Sequence, residues 1–329
     1  MDRPRVLVTR PLFETALRLL EGGCDIEANP EERGWTKEEL LARVREKHGI
    51  VCLLTDPIDS DVIAAGSELR VIANVAVGYD NIDMAAATRR GIAVTNTPGV
   101  LDETVADFAW ALLLAAARRI VEGDQMVRRG EWQGWGLQVL LGSDVHGKTL
   151  GIVGLGRIGQ AVARRARGFR MRILYYSLER APAELESELG VEWRSFDALL
   201  ADSDFVSLHV PLTRETHRLI GRAELERMRP GAILINTSRG PVVDESALAD
   251  TLAGRRIAGA ALDVFEREPT VDARLRELPN VVLAPHAASA AVETRTRMAM
   301  VAVENLLAAL EGKCPPNLVN PEVWTERPE

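Results

Sequence analysis

T-L-G-I-V-G-L-G-R-I-G, residues 149–159, sets Gly154, Gly156 and Gly159 in the spacing G-x-G-x-x-G. An apolar strand pattern at 150–153 leads into the glycines, and a helix pattern at 160–166 follows them. Strand, glycine turn and helix in that order are the fingerprint of a dinucleotide-binding unit. The first glycine permits the tight turn, the second lets the backbone approach a pyrophosphate, and the third lets helix pack on strand. The N–H groups that open the helix, and the positive end of its dipole, suit phosphate. Three spaced glycines without the flanking strand and helix would be an ordinary loop.

Outward from this turn the chain alternates strand and helix patterns in both directions. Toward the C-terminus, Arg172–Tyr176 and segments 205–210, 232–237, 257–264 and 281–284 are β-branched or continuously apolar. Strands buried on both faces of a parallel sheet read this way. Toward the N-terminus, strand patterns at 5–9, 50–55 and 71–75 alternate with helix patterns at 11–20, 37–47 and 61–65. The reading is α/β, with two doubly wound parallel-sheet domains. A Rossmann dinucleotide-binding domain, 100–287, is expected to be inserted in a discontinuous flavodoxin-like substrate domain made of 1–99 plus 288–329. The alanine-rich helix pattern at 289–311 would return the chain to the first domain before Pro315, Pro316 and Pro321 forbid further helix.

Composition narrows the function classes. The chain of 329 residues is 47% hydrophobic, 27% charged and 5% aromatic, as an ordinary globular protein is. Its net charge of -8 leaves no basic excess for nucleic acid. The N-terminus has no apolar stretch of signal-peptide length, and the longest apolar run, 105–117, is too short to span a bilayer. Cys24, Cys52 and Cys314 are odd in number and far apart, which suggests neither a disulfide framework nor a metal site. A cytoplasmic protein with no membrane partner is expected.

Three polar residues follow three successive strand patterns of the second half. Arg239 lies in I-N-T-S-R-G-P-V-V-D, Glu268 in L-D-V-F-E-R-E-P and His286 in V-V-L-A-P-H-A-A-S. Open α/β sheets bind ligands beyond the carboxyl ends of their strands, so the three can converge with the glycine turn on one crevice. Arginine offers a planar fork to a carboxylate. A histidine beside a carboxylate has its charged form favoured, which suits a proton donor. Singly, each has a plainer reading: a capping arginine, a structural histidine, a solvated acid. Their joint placement carries the functional one. His48, His146, His209 and His217 lack such company and read as structural, and Tyr79 and Asp80 read as shaping the turn after the first domain's last strand.

The chain resembles the D-2-hydroxyacid dehydrogenase family, and within it the glyoxylate/hydroxypyruvate reductases. The motifs are A-V-G-Y-D-N-I-D at 76–83, T-P-G-V-L at 97–101, G-E-W-Q-G-W-G at 130–136 and H-G-K-T-L-G-I-V-G-L-G-R-I-G-Q at 146–160. They continue with H-V-P-L-T at 209–213, the Arg239 segment, L-D-V-F at 262–265 and P-H at 285–286. The resemblance implies hydride transfer from a reduced nicotinamide to the keto carbon of a small 2-oxo acid, with domain closure dehydrating the site. Arg239 would pair with the substrate carboxylate and polarise the ketone, His286 would protonate the developing alkoxide, and Glu268 would orient His286. Backbone N–H groups of Val77 and Gly78 would help hold the carboxylate, with Ser289 and Trp135 also near the substrate. Cofactor contacts are implied at Gly154, Leu155, Gly156, Arg157, Ile158, Gly159, Ser177, Glu179, Arg180, Val210, Pro211, Thr237, Asp263 and Ala288, with Asp263 receiving the nicotinamide amide.

Cofactor choice turns on the strand ending at Tyr176, where an NAD-specific enzyme usually carries an acid. Here the chain reads Y-Y-S-L-E-R. Ser177 and Arg180 favour the 2′-phosphate of NADP. Glu179 opposes it, and Leu178 departs from the basic residue common there in phosphate-binding members. NADP is expected to be favoured over NAD, with dual use. Trp132 and Trp135 fall after the helix Asp102–Ala117, in a loop that belongs to the dimer contact in such reductases. That helix is apolar on most of its circumference, so burial against a second copy is the expectation, the alternative being an inner helix of its own domain. P-H-A-A-S stands where P-H-I-G-S is usual, which puts Ala287 and Ala288 beside the nicotinamide. The rivals are other enzymes of the family (phosphoglycerate-, lactate-, formate- or phosphite-type) and a dinucleotide-sensing scaffold like the family's corepressors.

Overall fold

The computed structural model describes residues 3–325. The chain divides into two compact units, one formed by the chain up to Leu101 and from Ala291 onward, the other by Asp102–Ala290.

The first unit is a five-stranded parallel sheet. Its strands are β1 (Arg5–Val8), β2 (Asp25–Ala28), β3 (Gly49–Cys52), β4 (Val71–Asn74) and β5 (Ala93–Thr95), in the order β2-β1-β3-β4-β5. This is the flavodoxin-like order of a doubly wound sheet. Leu7, Ile50, Ile72 and Val94 lie in one core cluster with Leu40, Val62 and Ile63 of the covering helices. The long helix Val292–Leu310 packs on β3, β4 and β5 and beside the helix Glu14–Gly23. The sheet has two strands that the apolar patterns do not reveal. Strand β2 reads D-I-E-A and pairs only with β1, so it needs no continuous apolar run. Strand β5 is only three residues long, and it makes β4 the fourth strand of five rather than the last. Tyr79 and Asp80 therefore follow an inner strand.

The second unit is a seven-stranded parallel sheet. Its strands are β6 (Thr149–Val153), β7 (Arg172–Tyr176), β8 (Val191–Trp193), β9 (Phe205–Leu208), β10 (Ile233–Asn236), β11 (Gly259–Leu262) and β12 (Val281–Leu283). The order β12-β11-β10-β9-β6-β7-β8 is the Rossmann order extended by one strand, with the switch point between β6 and β9. The edge strand β8 is short and largely exposed, which hides it from an apolar pattern.

The helix Asp102–Ala117 corrects an expectation. Val105, Ala106, Ala109, Trp110, Leu112, Leu113 and Ala117 are buried, and the helix packs on β10, β11 and the helix Arg157–Ala166 of its own unit. Trp110 stacks on Phe169 with ring centroids 4.6 Å apart and donates Nε1–H to the Val162 carbonyl. It is an inner helix, so its apolar girth gives no reason for a second copy. Apolar exposure is instead found on a further helix, Ile120–Arg128, and the loop after it. There Ile120, Val127, Trp132, Leu137 and Leu141 are exposed, and Trp135 is 84% exposed.

Candidate active site

The glycine turn is fixed by sterics. Gly154 follows β6 at φ +96°, and a Cβ there would lie 2.6 Å from the His209 carbonyl oxygen. A Cβ on Gly159 would lie 2.1 Å from the Gly154 carbonyl oxygen, so the helix Arg157–Ala166 approaches the strand closely. Gly156, the helix N-cap, faces open space. The turn thus leaves room for a phosphate over the first N–H groups of a ten-residue helix. At the end of β10, Thr237 Oγ1 is buried with no partner among the described residues. Both features fit a dinucleotide. Val210 and Pro211 follow β9, the strand across the switch point.

The tip of β7 is more occupied than its sequence suggests. Ser177 Oγ accepts the Leu155 N–H at 2.9 Å, tying the strand tip to the glycine turn. Arg180 is engaged by Glu186, while Leu178 and Glu179 are exposed.

β10, β11 and β12 are adjacent and parallel, with Asn236 beside Leu262 and Leu262 beside Leu283. Arg239, Glu268 and His286 therefore leave the same edge of the sheet. Gly240 allows their loops to meet, since a Cβ on it would sit 1.9 Å from the Phe265 backbone. His286 Nδ1 lies 2.7 Å from Glu268 Oε2, and the other carboxylate oxygen of Glu268 accepts the Phe265 N–H at 3.0 Å. Burial would push the Glu268 carboxyl up, but the hydrogen bond and charge of His286, the Phe265 N–H and the charge of Arg239 outweigh it. The carboxyl consequently lies below its ordinary value. Asn236 Nδ2 donates to the Arg239 carbonyl at 3.0 Å and fixes the turn that presents the guanidinium.

His286 adopts φ +54°, the left-handed region, where a residue with a side chain is strained. Asp263 holds it there. The Asp263 carbonyl accepts the His286 N–H at 2.8 Å, and its carboxylate oxygens accept the N–H groups of Ala287 at 2.7 Å and Ala288 at 2.8 Å. Asp263 is fully buried, and that burial raises its carboxyl above the usual range against the pull of the two N–H groups. Each carboxylate oxygen of Asp263, the residue expected at the nicotinamide amide, accepts one N–H and keeps a further acceptor lone pair. Its place in this fold is beneath the histidine turn. Ala288, expected at the cofactor, donates its N–H to Asp263 and is 5% exposed.

Other supporting residues carry no motif. Buried Glu245 accepts the N–H groups of Glu266 and Asp272, both at 2.8 Å, and so pins both sides of the loop carrying Glu268. In the first unit, Asn74 Nδ2 donates to the Gly78 carbonyl at 2.8 Å and Asn96 Nδ2 to the Val77 carbonyl at 2.8 Å. Because the peptide is planar and trans, pinning these carbonyls turns the next N–H groups to the opposite side. Of the remaining histidines, His48 accepts the Arg5 N–H at 2.9 Å. His209 pairs with Ser207 Oγ at 2.8 Å, and burial pushes its ring down to about 4, so it stays neutral.

This edge, with its glycine turn and histidine–carboxylate pair, defines a nucleotide-fold dehydrogenase. A family model described as D-isomer specific 2-hydroxyacid dehydrogenase, NAD binding domain, matches residues 110–288. The glyoxylate reductase of Korarchaeum cryptofilum is 56% identical over 328 residues, covering 99% of this chain and 98% of that protein. A solved structure from Thermus thermophilus is 50% identical with a TM-score of 0.90, covering 96% of this chain and 99% of that one. An NADPH-dependent glyoxylate/hydroxypyruvate reductase from Sinorhizobium meliloti, solved with NADP and malonate, is 34% identical with a TM-score of 0.87 over 100% of both chains. The chain belongs to the D-isomer specific 2-hydroxyacid dehydrogenase family.

Proposed function

We propose that the protein reduces small 2-oxo acids, glyoxylate to glycolate and hydroxypyruvate to D-glycerate, with NAD(P)H. The observation that carries this is the His286–Glu268 pair, 2.7 Å apart, on the sheet edge that presents Arg239. The glyoxylate reductase name of a relative 56% identical over nearly the full length supports the substrate class. Bound NAD(P)H would supply the hydride that the keto carbon receives. Arg239 pairs with the substrate carboxylate through its fork and polarises the ketone. Glu268 holds Nδ1–H, which leaves Nε2–H of the imidazolium to protonate the oxygen as charge develops on it. After the transfer the neutral ring keeps Nδ1–H on Glu268. Val77 and Gly78 add backbone N–H donors to the carboxylate, an orientation favoured by the Ala76 carbonyl held by the Thr97 N–H and the Val77 carbonyl held by Asn96, and Ser289 adjoins the substrate.

The glycine turn from Gly154 to Gly159, with Leu155, Arg157 and Ile158, holds the pyrophosphate. Val210, Pro211 and Thr237 line the cofactor beyond it. Ser177 in place of an acid supports NADPH over NADH, with both used. The exposed apolar surface of Ile120–Leu141 supports a homodimer in which Trp135 reaches the partner's substrate and limits its size. No helix among the described residues is long and apolar enough to cross a membrane, and three free cysteines fit the reducing cytoplasm we assign. The test is loss of NADPH and NADH absorbance on mixing with glyoxylate or hydroxypyruvate. No turnover of either acid with either cofactor overturns the proposal.

A further inference from the structure

The residues after β7 are joined by a three-member polar cluster. Arg180 donates to Glu186 through Nε and Nη2, each at 2.8 Å, in a side-on fork. Tyr175, whose side chain lies in the core, donates Oη–H to the same carboxylate at 2.6 Å and accepts the Ala181 N–H at 2.8 Å. Glu186 sits in the helix Ala183–Leu189, behind the loop, and its side chain is only 12% exposed against 65% for Arg180. The carboxylate is held at about 2 by Arg180 and Tyr175, so it is charged at every working pH. The cluster therefore fixes the one cation of Y-Y-S-L-E-R and neutralises its charge inside the protein.

This bears on the adenine ribose. The fork toward Glu186 uses the Nε–Nη2 edge of the guanidinium and leaves only the Nη1–Nη2 edge for an incoming anion. A 2′-phosphate on that edge would lie roughly 7 Å from the Glu186 carboxylate, on a surface that also carries Glu179. Its charge of about −1.5 to −2 would meet a neutral pair rather than a free cation. A nicotinamide cofactor without that phosphate brings no such charge to the tip of β7.

We propose that Glu186 is a specificity-determining residue for the cofactor: by occupying Arg180 it weakens recognition of the 2′-phosphate and keeps NADH competitive with NADPH. The inference rests on the reading that Arg180 faces the 2′-phosphate. Glu186→Gln keeps the size and removes the charge. Removing that charge at about 7 Å and releasing the fork of Arg180 together account for about a five- to tenfold change in binding.

The experiment measures calorimetric binding of 2′,5′-ADP and of 5′-AMP to wild type, Glu186→Gln, Arg180→Ala and the double variant, together with KM for NADPH and NADH. Glu186→Gln should tighten 2′,5′-ADP about five- to tenfold, lower the KM for NADPH to match, and leave 5′-AMP and NADH within about twofold. In the Arg180→Ala background the same change should tighten 2′,5′-ADP by clearly less, since the charge is removed but no arginine is released. Glu186→Ala should repeat the result without a side chain that can hold Tyr175. Equal shifts for both nucleotides would show a merely structural role and overturn the proposal, as would no shift at all. Tightening of the same size without Arg180 would overturn mediation by that residue. Unchanged 2′,5′-ADP binding on Arg180→Ala alone would instead sink the underlying reading of Arg180.

Discussion

Asp263→Asn tests whether the buried carboxylate beneath His286 acts on the histidine or only on the fold. Asp263 accepts the N–H groups of Ala287 and Ala288 at 2.7 and 2.8 Å while its own carbonyl holds the His286 N–H. Asparagine keeps one acceptor oxygen and turns an NH2 toward the other N–H. One charge-assisted bond, about 1.5–3 kcal/mol, is lost. The loss is partly offset, because the buried carboxylate is itself costly to ionise, as its raised value records. A net destabilisation of about 1–3 kcal/mol follows, a Tm fall of roughly 2–12 °C for a domain of this size. The larger effect is geometric. With one of the three hydrogen bonds that Asp263 makes to the turn gone, His286 can relax from φ +54° toward ordinary backbone and carry its ring off target. A displacement of about 1 Å costs up to about 100-fold in rate, so kcat with glyoxylate should fall about 10- to 100-fold. Nucleotide binding should change less than about threefold. Asp263→Asn added to His286→Ala should cost nothing further in kcat, since the two act through one group. Stopped-flow turnover and thermal unfolding of the four proteins decide the matter. A variant that loses stability but keeps kcat within about twofold of wild type would refute the assignment.

His286→Ala should lower kcat by about 100- to 10,000-fold with nucleotide binding retained, and turnover surviving within a few-fold from about pH 5 to 9 would exclude it as the proton donor. Glu268 is held below its ordinary value in the folded chain, so its stabilisation is complete above the unfolded glutamate pKa of about 4.3 and is lost as pH falls through the lower folded value. The stability gap between wild type and Glu268→Gln, from urea unfolding, should therefore be widest near neutrality and close in acid; a gap that is flat with pH would contradict the pairing. Arg239→Lys keeps the charge but not the fork, and should raise KM for glyoxylate by about tenfold or more; parent-like kinetics would remove Arg239 from carboxylate binding. Trp135→Ala should broaden activity toward bulkier 2-oxo acids in a protein that light scattering finds dimeric, and an active monomer at micromolar concentration would end the dimer proposal.

The features legible in the sequence are those whose physics is local. A glycine that must take φ +96° and another that must let backbone pass cannot be replaced, so the dinucleotide turn is visible in eleven letters. Inner strands buried on both faces spell themselves as apolar runs, and the residues just past them, Arg239 and His286, can be picked out by position. Edge strands escape notice for the converse reason: Asp25–Ala28 and Val191–Trp193 have one paired side and polar residues to spare. The supporting polar residues are hidden differently. Glu245, Glu186 and Asn74 act on backbone groups or side chains brought near by the fold, and nothing in their own neighbourhoods marks them. The helix Asp102–Ala117 gives the sharpest case. Its all-round apolarity reads as a demand for a partner chain, yet β10, β11 and the helix Arg157–Ala166 already cover it. Composition says that a surface must be buried but not by what, because a sheet of the same unit and a second copy offer the same apolar contact. Only where apolar side chains remain exposed after the unit has folded, as at Trp132, Trp135 and Leu137, does the hydrophobic argument point outward to another molecule.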